Sequence, residues 1–429
     1  MIRRTLALIA ATLGILAPAT GLRGDDAAVP AAPPESHFQV PATDEGLPGA
    51  GPIRRAEWFK TIWVERRTQW ASQVQQDQGA LVFVGDSITQ GWADVGSSFP
   101  GVKTANRGIS GDTTRGVLIR LDEDVIALNP RGVVLLIGTN DLEESTDPET
   151  CAGNLKLIIA ALKKHDPAMP VVLCEVFPSS AAKSRPAEKV RKLNALYLAA
   201  VADDPQVTVL DTWSLFANVH GDAKDEEMPD LLHPDLLGYA KWAAALRPVF
   251  ETVGLAPAWP DDFALETGYM GLFDGRDLTG WEYAGGPVFK GKTATDDGRY
   301  VVRNGRIVVT VSHKGQGTRV LWTTTKFPRN FILRLEFRAS PNADSGIFVR
   351  EPQLQCRDFL IAGPFAALAH YRPLDWNEVV VTVRGGLAHC VCNGEVLVDA
   401  MPVPPSGAVG LESDRGQVEY RRIRILEAR

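Results

Sequence analysis

Short, nearly continuous apolar runs recur through the first part of the chain, at residues 81–84, 132–137, 171–176 and 207–210. Between them the apolar positions take a helical spacing, as in Asn154, Leu155, Leu157, Ile158, Ala161 and Leu162, or Val190, Leu193, Leu196 and Tyr197. A last helix is predicted over about 238–253. Ahead of the first run, Trp58, Ile62 and Arg66, with Phe59, Trp63 and Trp70, predict an amphipathic helix ending before Gly79, its aromatic stripe read as core. Val/Leu/Ile strands alternating with helices predict an α/β fold with a parallel sheet covered on both faces. In such sheets a ligand sits beyond the carboxyl ends of the strands.

Past about residue 267 the helical spacing disappears. "YVVRNGRIVVTV" and "HCVCNGEVLV" each place Asn-Gly between β-branched residues, the strongest short hairpin signal. In "FILRLEFR", Leu333, Leu335 and Phe337 alternate with Arg334, Glu336 and Arg338, which predicts a strand with one wet face. This half therefore reads as an all-β antiparallel sandwich. Two stretches lack any period: the Ala/Pro/Gly-rich residues 25–53, expected to be a flexible linker, and residues 254–267 with "PAWPDD", expected to join the halves. The resulting division is 54–253 for the α/β domain and 268–427 for the sandwich.

Length, charge and cysteine content narrow the possibilities. A chain of 429 residues exceeds one ordinary core. A net charge of −7 with no long basic run argues against nucleic acid as partner. Arg3 and Arg4, an apolar stretch over 6–16 and then Ala17-Pro18-Ala19 have the layout of a secretory signal peptide, assigned to residues 1–24. No later segment approaches a membrane span, so the expectation is an exported protein, periplasmic or extracellular. Five cysteines leave at least one unpaired, and Cys390 and Cys392, sharing a strand face, are poorly placed to pair with each other. No Cys/His spacing suggests a metal site, and none of the chemistry below calls for a cofactor.

The first apolar run ends in "LVFVGDSITQGW", which delivers Ser87 to the open end of the sheet. Alone, "GDSIT" is equally a turn, and it is not a G-x-S-x-G elbow, because Thr89 stands where the second glycine belongs. A nucleophilic serine needs a base and the base an orienting partner. Of seven histidines only His233 has an aspartate three residues before it, Asp230 in "DLLHPD". Acyl transfer also needs oxyanion donors fixed in advance. "GTND" sets Asn140 just past another strand, and "NRGISGDTT" offers glycines at 108 and 111 whose neighbouring N–H groups could approach closely.

"GDSIT", "NRGISGDTT", "GTND" and "DLLHP" together resemble the four sequence blocks of the SGNH (GDSL) hydrolases, in order and over roughly residues 54–253. The resemblance implies a three-layer α/β/α flavodoxin-like fold. It also implies Ser87 as nucleophile, His233 as base, Asp230 as its partner, and an oxyanion hole of Ser87 N–H, Gly111 N–H and the Asn140 amide. It leaves the substrate open, because the family includes carbohydrate acetylesterases, lysophospholipases, thioesterases and platelet-activating-factor acetylhydrolase-like enzymes. The second half, through "LFDGRDLTGW", "DSGIFVR", "DWNEVVVTVRG" and "YRRIRI", is similar to the 3-keto-disaccharide hydrolase domain, a concanavalin-like sandwich, which implies a carbohydrate ligand. Its usual acidic "EvQ-x-x-D" stretch carries Gln353 in place of glutamate. That substitution favours a sugar-binding module over a second active site, with Arg350, Gln355, Asp358 and Trp376 as candidate contacts. The expectation is a serine esterase acting on acylated, chiefly acetylated, carbohydrate; the alternatives are a lipid esterase and a sugar-active protein working through the sandwich.

Overall fold

The computed structural model describes residues 38–202, 204–257, 261–311, 317–357 and 364–427. The first half runs α1 (Glu57–Gln73), β1 (Leu81–Gly85), α2 (Ser87–Gly91), α3 (Val95–Ser98), β2 (Thr104–Gly108), α4 (Thr114–Asp124) and β3 (Gly132–Leu136). It continues with α5 (Thr139–Glu143), α6 (Pro148–His165), β4 (Val171–Cys174), α7 (Ala187–Val201), β5 (Val207–Leu210), α8 (Thr212–Phe216) and α9 (Leu236–Thr252). The strands form one parallel sheet in the order β2-β1-β3-β4-β5, the flavodoxin-like winding. Strand alternation divides the core. Val82 and Val84 pack with α4, α6 and α7 on one face, and Leu81 and Phe83 pack with α8 and α9 on the other. This is the expected three-layer arrangement.

β2 has no apolar run to announce it. Its "TANRG" residues are carried at the sheet edge, paired in register with β1 from Leu81↔Thr104 to Gly85↔Gly108. The segment "NRG", expected in a loop, is therefore strand, and the loop proper starts at Ile109.

The 25–53 stretch is corrected in its second half, residues 25–37 lying outside the described residues. Phe38, Val40 and Ile53 are buried. Asn154 exchanges two hydrogen bonds with the Ala50 backbone, and Arg115 binds the Gly51 carbonyl at 2.7 Å and Asp44 at 2.9 Å. Proline and glycine removed the period without removing the packing. The 254–267 stretch is tethered too: Leu255 is buried, Asp261 pairs with Arg422, and Glu266 with Arg424.

The second half is an antiparallel sandwich. One sheet orders Gln353–Arg357, Asp344–Arg350, Ala408–Ser413, Arg319–Thr323 and Trp281–Tyr283. The other orders Glu395–Pro402, Leu387–Cys392, Asn377–Arg384, Phe331–Ala339, Val418–Glu427, Arg306–Val309 and Tyr300–Arg303. Both Asn-Gly pairs sit at positive φ, Asn304 and Gly305 at 48° and 76°, Asn393 and Gly394 at 47° and 87°, as a type I′ hairpin requires. All five cysteines are buried free thiols.

The face of "FILRLEFR" expected to be wet is not wholly so. Arg338 and Arg306 bind Glu251 of α9 and Glu419 of the sandwich in a buried four-residue ion network. The two halves thus belong to one compact unit.

Candidate active site

Ser87 is the first residue of α2, immediately past fully buried β1. Asp86 caps the helix by accepting from Ile88 N at 2.9 Å, and Tyr239 of α9 donates to the Ile88 carbonyl at 2.8 Å. The serine is fixed from both sides while its own side chain stays half-exposed. His233 Nε2 lies 2.9 Å from Ser87 Oγ, and His233 Nδ1 lies 2.7 Å from Asp230 Oδ2. Asp230 also accepts from the backbone N–H of Leu232 and His233. Burial alone would raise the Asp230 carboxyl; the hydrogen bonds and charge of His233 outweigh it and hold the group below the usual range. Ser179 Oγ, donating to the Leu231 carbonyl at 2.7 Å, pins the loop that carries the pair.

Asn140 reaches the loop that carries Gly111 through one hydrogen bond. Asn140 Nδ2 donates to the Asp112 carbonyl at 3.0 Å, which leaves its second amide hydrogen for a ligand. Gly111 sits at φ +84°, and a Cβ there would stand 2.5 Å from the Trp58 ring, so the position needs glycine on two counts. The loop is anchored below by Asp112, whose carboxylate binds Arg120 Nε at 2.8 Å with both side chains fully buried. Asp141 ties α5 to α4 by accepting from Thr114 N and Oγ1. Burial pushes Asp86 up to about 7, and Asp112 and Asp141 up to about 6.

Two contributors escaped the sequence reading. Trp58, taken as part of a core stripe, is 48% exposed and lies against Gly111, with Arg54 stacked on its ring at 5.4 Å. Arg185 donates to Asn140 Oδ1 and to the Thr139 carbonyl. Trp58 was detectable only as the aromatic out of phase with Phe59, Trp63 and Trp70; Arg185 belongs to no motif.

The candidate sugar contacts scatter. Arg350 is buried, and its two terminal nitrogens donate to the Pro404 and Arg329 carbonyls, a structural role. Trp376 is covered by Arg421, Arg338 and Arg306 at 4.0, 4.8 and 5.7 Å, beside the Glu251 network. Asp358 lies outside the described residues. Gln355 does reach the outer face of the five-stranded sheet, where its amide donates to Gln353, and Gln353 in turn donates to Glu412. Burial raises the Glu412 carboxyl, with Asp414 and Asp344 adding to the effect.

On that same face Trp322 and Phe348 stand abreast, both paired with Gly410, their rings 5.2 Å apart. Their strand neighbours Leu321 and Ile347 point into the core. A cleft of about 780 Å³ opens beside Trp322, lined by Tyr283, Asp296, Asp297, Arg319 and Val320. Sequence reading missed this pair because single aromatics in alternating strands look like core.

A serine hydroxyl bonded to an imidazole that is held by a carboxylate, at the carboxyl end of a parallel sheet, defines the class of nucleophilic hydrolases. Comparison with known proteins agrees. Residues 83–241 match the GDSL-like lipase/acylhydrolase family, and residues 268–426 match the 3-keto-alpha-glucoside-1,2-lyase-like domain. Platelet-activating factor acetylhydrolase IB subunit alpha1 of Rattus norvegicus is 30% identical over 192 residues, 43% of this chain and 81% of the relative. Among solved structures, a GDSL-like lipase of Bacteroides thetaiotaomicron is 24% identical, covering 43% of this chain and 97% of its own, with a TM-score of 0.39. A candidate glycosyl hydrolase of Parabacteroides distasonis is 18% identical over 40% of this chain and 100% of its own, with a TM-score of 0.32. The chain belongs to the GDSL-like lipase/acylhydrolase family and is a serine ester hydrolase carrying a 3-keto-disaccharide hydrolase-like domain.

Proposed function

We propose that this hydrolase removes acetyl and similar short acyl groups from carbohydrate, through an acyl-enzyme on Ser87, with the sandwich holding the sugar. The observation that carries the reaction is the continuous relay from Asp230 through His233 to Ser87 Oγ. Ser87 Oγ attacks the ester carbonyl carbon while its proton passes to His233 Nε2. The oxyanion accepts from Ser87 N–H, Gly111 N–H and the second amide hydrogen of Asn140. Collapse breaks the acyl–oxygen bond, and His233 returns the proton to the leaving alcohol. Water, deprotonated by the same imidazole, then releases the acid and restores the serine. Asp230, kept ionised, holds Nδ1–H in place so that Nε2 is the basic nitrogen.

Sugar as the alcohol is supported by the Trp322–Phe348 pair with its Gln355–Gln353–Glu412 ladder, an aromatic surface beside polar acceptors. Trp58 offers a further exposed ring beside Gly111. A bound polymer would raise the effective concentration of ester at Ser87. Acetyl as the acyl group is supported by the acetylhydrolase relatives, while the lipase in the matched family's description favours a second reading, a lipid ester. The raised Glu412 carboxyl favours a third, keto-glycoside chemistry on the sandwich. Action outside the cytoplasm is supported by the basic, apolar and Ala-Pro-Ala segments at the N-terminus.

The test is a panel of aryl acetates, acetylated polysaccharides, lysolipids and 3-keto-glycosides, with the wild type and Ser87→Ala. Acetylated polysaccharide should be the best natural substrate, and Ser87→Ala should lose about 10³-fold or more on every ester. Preference for lysolipid would establish the second reading. Turnover of keto-glycoside untouched by Ser87→Ala would establish the third. Ester hydrolysis undiminished in Ser87→Ala would end the first.

A further inference from the structure

We propose that Arg185 is a positioning residue for the oxyanion site, acting through Asn140; the inference rests on the reading of Asn140 as an oxyanion donor. Arg185 precedes Pro186, the N-cap of α7, and its side chain turns back to the start of α5. Only 2% of it is exposed. Nε donates to the Thr139 carbonyl at 3.0 Å, Nη2 to Asn140 Oδ1 at 3.1 Å, and Nη1 to the Lys183 carbonyl at 2.6 Å. The rigid guanidinium fork therefore grips residue 139 by its backbone and residue 140 by its side chain at once.

This grip has two chemical consequences. A side-chain amide is free to turn over, exchanging its acceptor for its donor. With a cation fixed at Oδ1 and the Asp112 carbonyl accepting from Nδ2, only one orientation satisfies both neighbours. That orientation presents the remaining Nδ2 hydrogen as a donor. The cation also draws electron density through the amide toward Oδ1, which strengthens the Nδ2–H donor as negative charge builds on the substrate oxygen.

The charge is buffered, and so does not act as a bare cation in the pocket. Glu143 Oε2 lies 3.1 Å from Arg185 Nη2 and 2.6 Å from Arg54 Nη2, and Arg54 also reaches Glu144 at 2.8 Å. A chain of alternating charge thus runs from the residue stacked on Trp58 to the amide of Asn140. Desolvation draws the Arg185 guanidinium below its ordinary range; Glu143, followed by Asp86, opposes that shift. A lysine in its place would supply charge at one point and could not span both acceptors in the same geometry.

The experiment is a double-mutant cycle on an aryl acetate, with wild type, Arg185→Met, Asn140→Ala and the pair combined, and with Arg185→Lys as the conservative variant. Arg185→Met should lower kcat by about 10- to 100-fold with KM within about twofold, since the donor acts mainly in the transition state. Arg185→Lys should recover part of that loss. In the Asn140→Ala background, Arg185→Met should cost less than about threefold, because the group it acts through is gone. Losses that multiply in the double mutant, or an Arg185→Met enzyme within twofold of wild type, would overturn the inference. If Arg185→Met does not fold, as judged by its circular dichroism and melting curve, the same cycle runs with Arg185→Lys. Failure of the esterase reading itself is distinguishable, because it would appear as activity retained by Ser87→Ala.

Discussion

Glu251 on the last helix of the α/β half and Arg338 on a central sandwich strand form a buried ion pair, Oε2 to Nη2 at 2.7 Å. Arg306 and Glu419 complete the group, so two cations and two carboxylates balance within it. Such a network is worth little against a well-packed apolar substitute, but breaking it leaves a buried charge without its partner. Glu251→Ala is therefore expected to cost about 3–5 kcal/mol, read from the urea midpoint of the full chain. An unchanged midpoint would mean that the junction carries no stability. If the junction couples the halves, the variant should also let the sandwich and the α/β half unfold in separate transitions, followed by tryptophan emission and far-ultraviolet dichroism.

The positive φ of Gly111 and the Trp58 ring against it make the Gly111→Ala outcome specific. A methyl group must displace either the indole or the loop that presents the 111 N–H. Loss of one oxyanion donor typically costs about 10²–10³-fold in kcat, and Gly111→Ala is expected near the lower end. Adding Trp58→Ala removes the collision but not the backbone strain at φ +84°, so recovery should be partial. Full recovery would assign the whole effect to the indole. Wild-type kcat in the single variant would remove Gly111 from the site.

Glu175 follows β4, Asp211 follows β5, and Asn342 of the sandwich donates to Asp211 Oδ2 at 2.6 Å. Burial first, and then the Asp211 charge, pushes the Glu175 carboxyl up to about 9. Its folded value lies above its unfolded one, so the folded state holds a proton that the unfolded state releases. The stability this gives is fully present below about pH 4.5 and is lost as pH rises toward 9. Glu175→Gln has no such proton to lose. Its melting temperature relative to wild type should climb steadily between pH 5 and 9 and level off above. A difference independent of pH would contradict the buried-proton account.

The parallel sheet was legible because β1, β3 and β4 are buried on both faces and so read as nearly continuous apolar runs, while β5, half-buried in its middle, still carries Val207, Val209 and Leu210. β2 was not, since an edge strand with Thr104, Asn106 and Arg107 needs apolar side chains on neither face continuously. Ser87 and Asn140 could be found because each stands shortly past the end of a strand, and Asp230 and His233 because their three-residue spacing sets them together on one loop. Arg185 could not, because its role depends on a side chain folding back across the start of α5, and no local pattern encodes that path. The sandwich was read correctly as hairpins and alternation, whereas two of its candidate contacts are engaged within the fold. Arg350 and Trp376 have the chemistry of sugar contacts, but the strand register turns Arg350 toward backbone carbonyls and sets Trp376 beneath three arginines. Residues 38–53 show the converse error, in which the absence of a period was taken for the absence of packing.

The Trp322–Phe348 face separates binding from catalysis by experiment. The rings lie on either side of Gly410, and a Cβ at that position would stand 2.8 Å from Trp322, so even a small side chain there must shift the indole. Trp322→Ala removes one ring, and Gly410→Val displaces it while keeping it in the chain. Both should weaken retention on acetylated polysaccharide by about tenfold or more, the order expected for losing one aromatic contact worth about 1–2 kcal/mol. Neither touches Ser87, His233 or Asn140, so kcat/KM on a soluble aryl acetate should stay within about twofold of wild type. Binding is measured by pull-down on the insoluble polymer and activity by acetate release, with Ser87→Ala as the inactive binder. If both variants bind as the wild type does, the aromatic pair is surface without a ligand. If aryl acetate turnover falls in step with binding, the face instead supports the fold of the whole chain.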